Sequence, residues 1–319
     1  MRNVAALLSA GLVFSVSLFQ ASAQKPQAAV EKQHRHDPIE IEGSPIISRY
    51  PVNLESPRRI LLDPKENVII ADSGANKVFK MSPAGELTTV AKNLAEPSGL
   101  VRDEKGNLYI SNHAQGEEEQ GTIVRISPSG DKFVFAEGLT GPKGMAFDKH
   151  GNLYVALFDE HRIIRIDNKG SVTPFVDEID TPAGLVFDKQ GNLYVACSLS
   201  GTVRRVSPDG KVTTVAEDLK IPSDITTGPD GGMIVTNYQG SELTRIDPKG
   251  KTEFFLNVPP GTIGIAFDKA GNLLAVNWDA SLLLKITSRF SVPCPHCDKR
   301  IPVRLKQKRV KKKPPTKMI

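Results

Sequence analysis

The sequence predicts an all-β chain folded as a six-bladed β-propeller, and three observations carry that reading. Pro57, Pro97, Pro142, Pro182 and Pro222 each precede an apolar run at spacings of 40, 45, 40 and 40, and Thr262 takes a sixth place after another 40. A repeat near forty residues is the signature of propeller blades. Each unit also divides into four short strand-like runs separated by Gly, Pro, Asn and Asp, the composition of a four-stranded antiparallel blade. The last unit, finally, stops at Phe290 after its third run, and the missing fourth is supplied by the segment before Pro57. The ring is therefore expected to close by pairing an N-terminal strand with the last blade.

In chain order, the first element is a basic residue, Arg2, followed by the apolar run Val4 to Phe19 and the small residues Ala21-Ser22-Ala23. That order is the pattern of a cleaved secretory signal over 1–23, which places the mature protein outside the cytoplasm, secreted or periplasmic, with no transmembrane segment after cleavage. Residues 24–44 read as a polar lead-in, and their His34-Arg35-His36 as a surface pair of histidines. The propeller spans 45–290, opening with Pro45–Leu54, which aligns with fourth strands such as Glu86–Val90.

Within a unit, the first strand, such as Gly144-Met145-Ala146-Phe147, ends in Asp-x-x-Gly-Asn at 103–107, 148–152, 188–192 and 268–272. The Asp accepts hydrogen bonds from the turn backbone, and Gly takes the positive φ that tightens a hairpin, so Gly151, Gly191 and Gly271 are placed in the left-handed region. The second strand is Leu-Tyr-Val/Ile-Ala/Ser. The third alternates apolar and basic residues, as in Ile163-Ile164-Arg165-Ile166, the period of a half-buried strand. A turn such as Ser207-Pro208-Asp209-Gly210 leads to the fourth.

Residues 291–319 hold ten Lys or Arg against the single acid Asp298. They account for the whole positive balance of the chain, so a basic nucleic-acid-binding body is excluded and any weak contact with an anionic surface belongs to this tail. It is expected to lack structure. Cys294-Pro295-His296-Cys297 within it is half of a zinc ribbon without a second pair, leaving a disulfide, a site completed by another molecule, or no role.

The run Pro-x-Gly-φ-x-φ-Asp-x-x-Gly-Asn-Leu-Tyr-Val, followed by φ-x-Arg-φ, resembles the NHL-repeat propellers and the senescence-marker/gluconolactonase family. Residues 224–232 are also similar to repeats of streptogramin-type lyases, whose His and Glu catalytic residues find no match here. The gluconolactonase resemblance implies a divalent cation such as calcium in the channel, held by Glu, Asn and Asp, some at the x of Pro-x-Gly. Ser98, Lys143, Ala183 and Ser223 stand at x in this chain. None is a good ligand, and Lys143 repels a cation.

Strand parity puts the blade-to-blade connections and the loops between second and third strands on one face. Asp72, Asn112, Leu157, Cys197, Asn237 and Asn277 end the second strands there, and Ser73, His113, Phe158, Ser198, Tyr238 and Trp278 follow them. Asp72, Asn112, His113, Phe158, Asn237, Tyr238, Asn277 and Trp278 are thus the candidate ligand-binding residues, polar groups topped by aromatics at the channel mouth. The alternative is that the Asp and Asn side chains satisfy strand-end backbone groups. Asp159, Asp224, Asp279 and the acidic run Glu117–Glu119 lie near the same face, whereas His150 and His161 have no Ser or Cys to form a hydrolytic triad.

The function expected is recognition of a small ligand or a protein partner through this face. The alternative is a metal-dependent lactonase or a streptogramin-type lyase, with metal ligands drawn from Asp72, Asn112, Asn237 and Asn277.

Overall fold

The structure, a computed structural model, describes residues 39–42, 46–113, 120–228, 231–287, 289–293 and 300–306. Residues 1–23, expected to be a signal segment, His34-Arg35-His36, Glu117–Glu119 and the Cys294/Cys297 pair lie outside the described residues. All described residues belong to one compact unit, Asp37–Ile319.

Six four-stranded antiparallel sheets form the ring. Blade 1 runs Pro57–Leu62, Val68–Asp72, Lys77–Met81, Leu87–Ala91, and blades 2 to 5 repeat that order from Pro97, Pro142, Pro182 and Pro222. Blade 6 takes Thr262–Phe267, Leu273–Asn277 and Leu282–Thr287 from the C-terminal side and Ile46–Arg49 from the N-terminal side, in the register Ile46↔Thr287 to Arg49↔Leu284. The closure read from the sequence is thus the closure of the ring. First strands of neighbouring blades contact one another around the axis, and fourth strands lie outermost.

The core is a set of six clusters between blades. Ile69, Ala71 and Val78 of blade 1, for instance, pack on Leu100, Ile110 and Val124 of blade 2, all nearly or fully buried. Each such aliphatic side chain contributes about 1.5–3 kcal/mol on burial. Aromatic pairs knit the periphery: the Tyr109 ring meets Phe135 and Phe147 edge-on at 5.0 and 5.1 Å.

The turns behave as their composition dictates. Asp148 accepts hydrogen bonds from the amides of His150 and Asn152 and from Asn152 Nδ2, at 2.8, 2.9 and 2.8 Å. Gly151, Gly191 and Gly271 have φ of 82°, 86° and 80°.

The tail departs from expectation. Arg289–Pro293 and Arg300–Lys306 form an antiparallel hairpin, and Ile39–Glu42 adds to it in parallel, with Ile39 opposite Val303 and Ile41 opposite Leu305. Residues 300–306 were expected to be without structure because of their charge. They nevertheless alternate Ile301, Val303 and Leu305 with Arg300, Pro302, Arg304 and Lys306, a strand period that the charge count hid.

Candidate functional site

A shared irregularity aims the side chains of the channel mouth. In every first strand the register slips just after the opening Pro or Thr: Pro57 faces Asp72 and Arg59 faces Ala71, while Pro142 faces Leu157 and Met145 faces Val155. A bulge of this kind re-aims the residue it carries. The six bulge residues, Arg58, Ser98, Lys143, Ala183, Ser223 and Ile263, all line one cavity of about 190 Å³ at the mouth. Lys143 is held in place through its backbone, since Ser111 Oγ accepts from Gly99 N and donates to the Lys143 carbonyl, at 2.6 and 2.7 Å.

One residue deeper, four blades carry Gly. A Cβ on Gly144 would lie 2.1 Å from the Ala183 carbonyl oxygen, so Gly is required where adjacent first strands approach this closely. Blades 1 and 5 carry Arg59 and Asp224 instead, and these two side chains form an ion pair across the channel. Asp224 is almost fully buried and also accepts from the amides of Ile225 and Ile265, at 2.8 and 3.1 Å. Burial pushes the Arg59 guanidinium down to about 10, so it stays charged at neutral pH. Arg59 forms part of the cavity floor.

Phe158, Tyr238 and Trp278 build the walls, joined by Ser198, Leu199 and Ile221. Two cations stand against these rings. Arg58 lies 5.5 Å from the Trp278 ring centre, donates from Nε to Ser73 Oγ at 2.9 Å, and sits 3.9 Å from Glu96. Lys143 Nζ lies 3.0 Å from the Phe158 ring centre. Burial, reinforced by the Arg58 charge and opposed by Asp159 and Glu96, pushes the Lys143 ammonium down to about 8. His113 completes the cluster, with Nε2 3.3 Å from Asp159 Oδ2; burial and the Lys143 charge lower its basicity while Asp159 raises it. Tyr238 donates to Asp279 at 2.9 Å and lies 5.8 Å from Trp278, whose buried Nε1 finds no partner among the described residues.

Of the eight candidate residues, the structure brings Phe158, Tyr238 and Trp278 to the cavity and His113 beside its cationic side. It does not bring Asp72, Asn112, Asn237 and Asn277 there. They end the second strands on the same face, as the register required, but are buried, and the Oδ1 atoms of Asn112 and Asn237 find no partner among the described residues. Asp72 accepts from the amides of Glu55, Ser56 and Ala75. Asn112 donates to Thr122, Asn237 to Glu242 O and Thr244, and Asn277 to Pro260 O. Expected as ligand contacts, these four instead tie strand ends to neighbouring loops, because the last residue of the second strand points into the blade and only the next one clears it.

Arg58 and Arg59 escaped the sequence reading, although a signal existed: they and Asp224 are where the Pro-x-Gly pattern breaks. A divalent cation in the channel does not fit these donors. The cavity is lined by Arg58, Arg59 and Lys143 and by no acid, and among the described residues no group of three or more His, Cys, Asp or Glu converges. Cys197 is buried and free, its thiol pushed up to about 12 by burial, and is an inert core residue.

With this geometry in hand, comparison with known proteins gives three findings. The model of the virginiamycin B lyase family matches residues 90–294, more than half of the chain. No curated protein matches the chain by sequence. Among solved structures, virginiamycin B lyase from Staphylococcus aureus superposes with a TM-score of 0.59 at 17% identity, over 83% of this chain and 90% of that one. A gluconolactonase from Xanthomonas campestris gives 0.64 at 15% identity, over 76% and 89%. An auxiliary nutrient binding protein from Bacteroides thetaiotaomicron gives 0.64 at 13% identity, over 73% and 69%. At these identities the superpositions establish the shared propeller architecture.

Proposed function

This chain belongs to the virginiamycin B lyase family, and we propose that its channel mouth binds a small molecule carrying an anionic group beside an apolar ring. The observation that supports this reading most is the lining of the cavity: three cationic side chains, three aromatic rings and no acid. The volume agrees with such a ligand. A cavity of roughly 150 Å³ accommodates benzene, so about 190 Å³ gives room for one ring and a small charged group. Arg58 and Lys143 supply the charge, and Trp278 and Phe158 the stacking surface, with Arg59 closing the channel beneath.

A second reading is favoured by family membership, namely that the same mouth carries out a lyase reaction on virginiamycin B. The exported location expected from residues 1–23 belongs to this proposal too, and mass analysis of the mature N-terminus from the native host tests it.

Titration with phenylacetate and with phenethylamine, followed by calorimetry and by the fluorescence of Trp278, tests the binding reading. Phenylacetate should bind and alter the emission, and the amine should not. Trp278→Ala should weaken phenylacetate binding by roughly 1–3 kcal/mol. Equal binding of amine and acid would refute an anion site. Incubation with virginiamycin B, monitored by chromatography for loss of the starting compound, tests the lyase reading.

A further inference from the structure

We propose that Lys143 is a reactive amine that condenses with the carbonyl group of an oxo-carboxylic acid bound at the channel mouth. The inference rests on the anion-binding reading of that site and adds a covalent activity to it.

Two physical devices turn a lysine into a nucleophile at neutral pH: an apolar wall and a neighbouring cation. Lys143 has both. Its side chain is partly buried among the residues of the mouth beside the Phe158 ring, and Arg58 is the nearby positive charge that disfavours a second one. The charged and titratable groups facing it are Arg58 from blade 1, Glu96 from the following connection, His113 from blade 2 and Asp159 from its own blade. At pH 7.5 an amine that titrates at about 8 is about one-quarter unprotonated, against about 0.1% for a lysine at its ordinary 10.5.

The rest of the cavity selects the partner. Arg58 favours a carboxylate, the aromatic walls favour a ring, and a carbonyl carbon next to that carboxylate then faces the other cationic lining group not held in the Arg59–Asp224 pair, Lys143. In the reaction, neutral Nζ forms a C–N bond to the carbonyl carbon and gives a carbinolamine. Water then leaves, carrying the carbonyl oxygen and both amine hydrogens, and a C=N bond remains. No oxidant or reductant is consumed.

The test is reductive trapping of the whole protein with phenylglyoxylate and borohydride, read by intact mass and peptide mapping. We expect one saturable adduct on Lys143, formed at least about tenfold faster than on any other lysine, as its larger free-amine fraction requires. The rate should rise with pH and level off above about 8. Excess phenylacetate should suppress it, and Lys143→Arg and Lys143→Met, each checked for folding by circular dichroism, should abolish it. Labelling spread over surface lysines, or retained in either folded variant, overturns the proposal. If phenylacetate binds but Lys143 is not labelled, the covalent activity falls and the binding reading stands; if neither occurs, both fall.

Discussion

Replacing Asp224 with Ala isolates the group that closes the channel. The carboxylate pairs with Arg59 and accepts two buried amide hydrogen bonds, from Ile225 and Ile265. Its loss leaves the Arg59 charge uncompensated in a buried setting, which costs roughly 3–5 kcal/mol. Each orphaned amide adds a penalty of about 1–3 kcal/mol, part of which backbone relaxation toward the channel recovers. We therefore expect a loss of at least about 5 kcal/mol. For a domain of this size each kcal/mol lowers Tm by roughly 2–4 °C, so the variant should melt at least about 10–20 °C lower. Calorimetric melting and urea unfolding measure both quantities. The double variant Arg59→Ala, Asp224→Ala removes both charges and should regain at least about 2 kcal/mol relative to the sum of the single losses. A loss below about 1 kcal/mol for Asp224→Ala, with additive behaviour in the double variant, would refute a buried pair that holds blades 1 and 5 together.

Two further outcomes follow from the ring's geometry. Gly144→Ala drives a Cβ against the Ala183 carbonyl and should destabilise by about 2–3 kcal/mol, whereas Gly151→Ala, at φ 82° with open space around it, should cost only about 1 kcal/mol; urea unfolding of both compares them directly. Deleting residues 45–56 removes the fourth strand of blade 6 and should yield insoluble or much less stable protein, checked by solubility and melting, and a deletion variant that melts with the intact chain would contradict the pairing.

The repeat was legible because each blade restates the same constraints: Pro at the blade entrance, Asp and Gly in the first hairpin, alternating residues in the third strand. Even the closure could be read, since a missing fourth strand at one end had its counterpart at the other. The site was legible only in part. Parity placed Phe158, Tyr238 and Trp278 on one face, and the structure puts all three at its cavity. It misjudged the row beneath them, because spacing along the chain does not reveal that Asp72 and Asn277 turn inward to backbone amides and carbonyls. The bulge that aims Arg58 and Lys143 leaves no composition signal of its own, and the Arg59–Asp224 pair joins residues 165 positions apart. The tail was misread for a different reason. Net charge dominated the reading of 300–306, although pairing in a sheet depends on alternation.

The closure of blade 6 also fixes an order of events during synthesis. Ile46–Arg49 is made at the start of the propeller, yet its partner Leu282–Thr287 is made more than two hundred residues later. At ribosomal rates of about 5–20 residues per second, that interval is roughly 10–50 s, and joining ends so far apart costs about 5 kcal/mol of chain entropy. Blades 1 to 5 are therefore complete while the ring is still open, and the first strand waits unpaired, its Ile46 and Ile47 accessible to any other sheet edge. Only the last-made blade converts this stack of sheets into a circle, so a chain interrupted before Leu282 retains two open ends and no finished mouth.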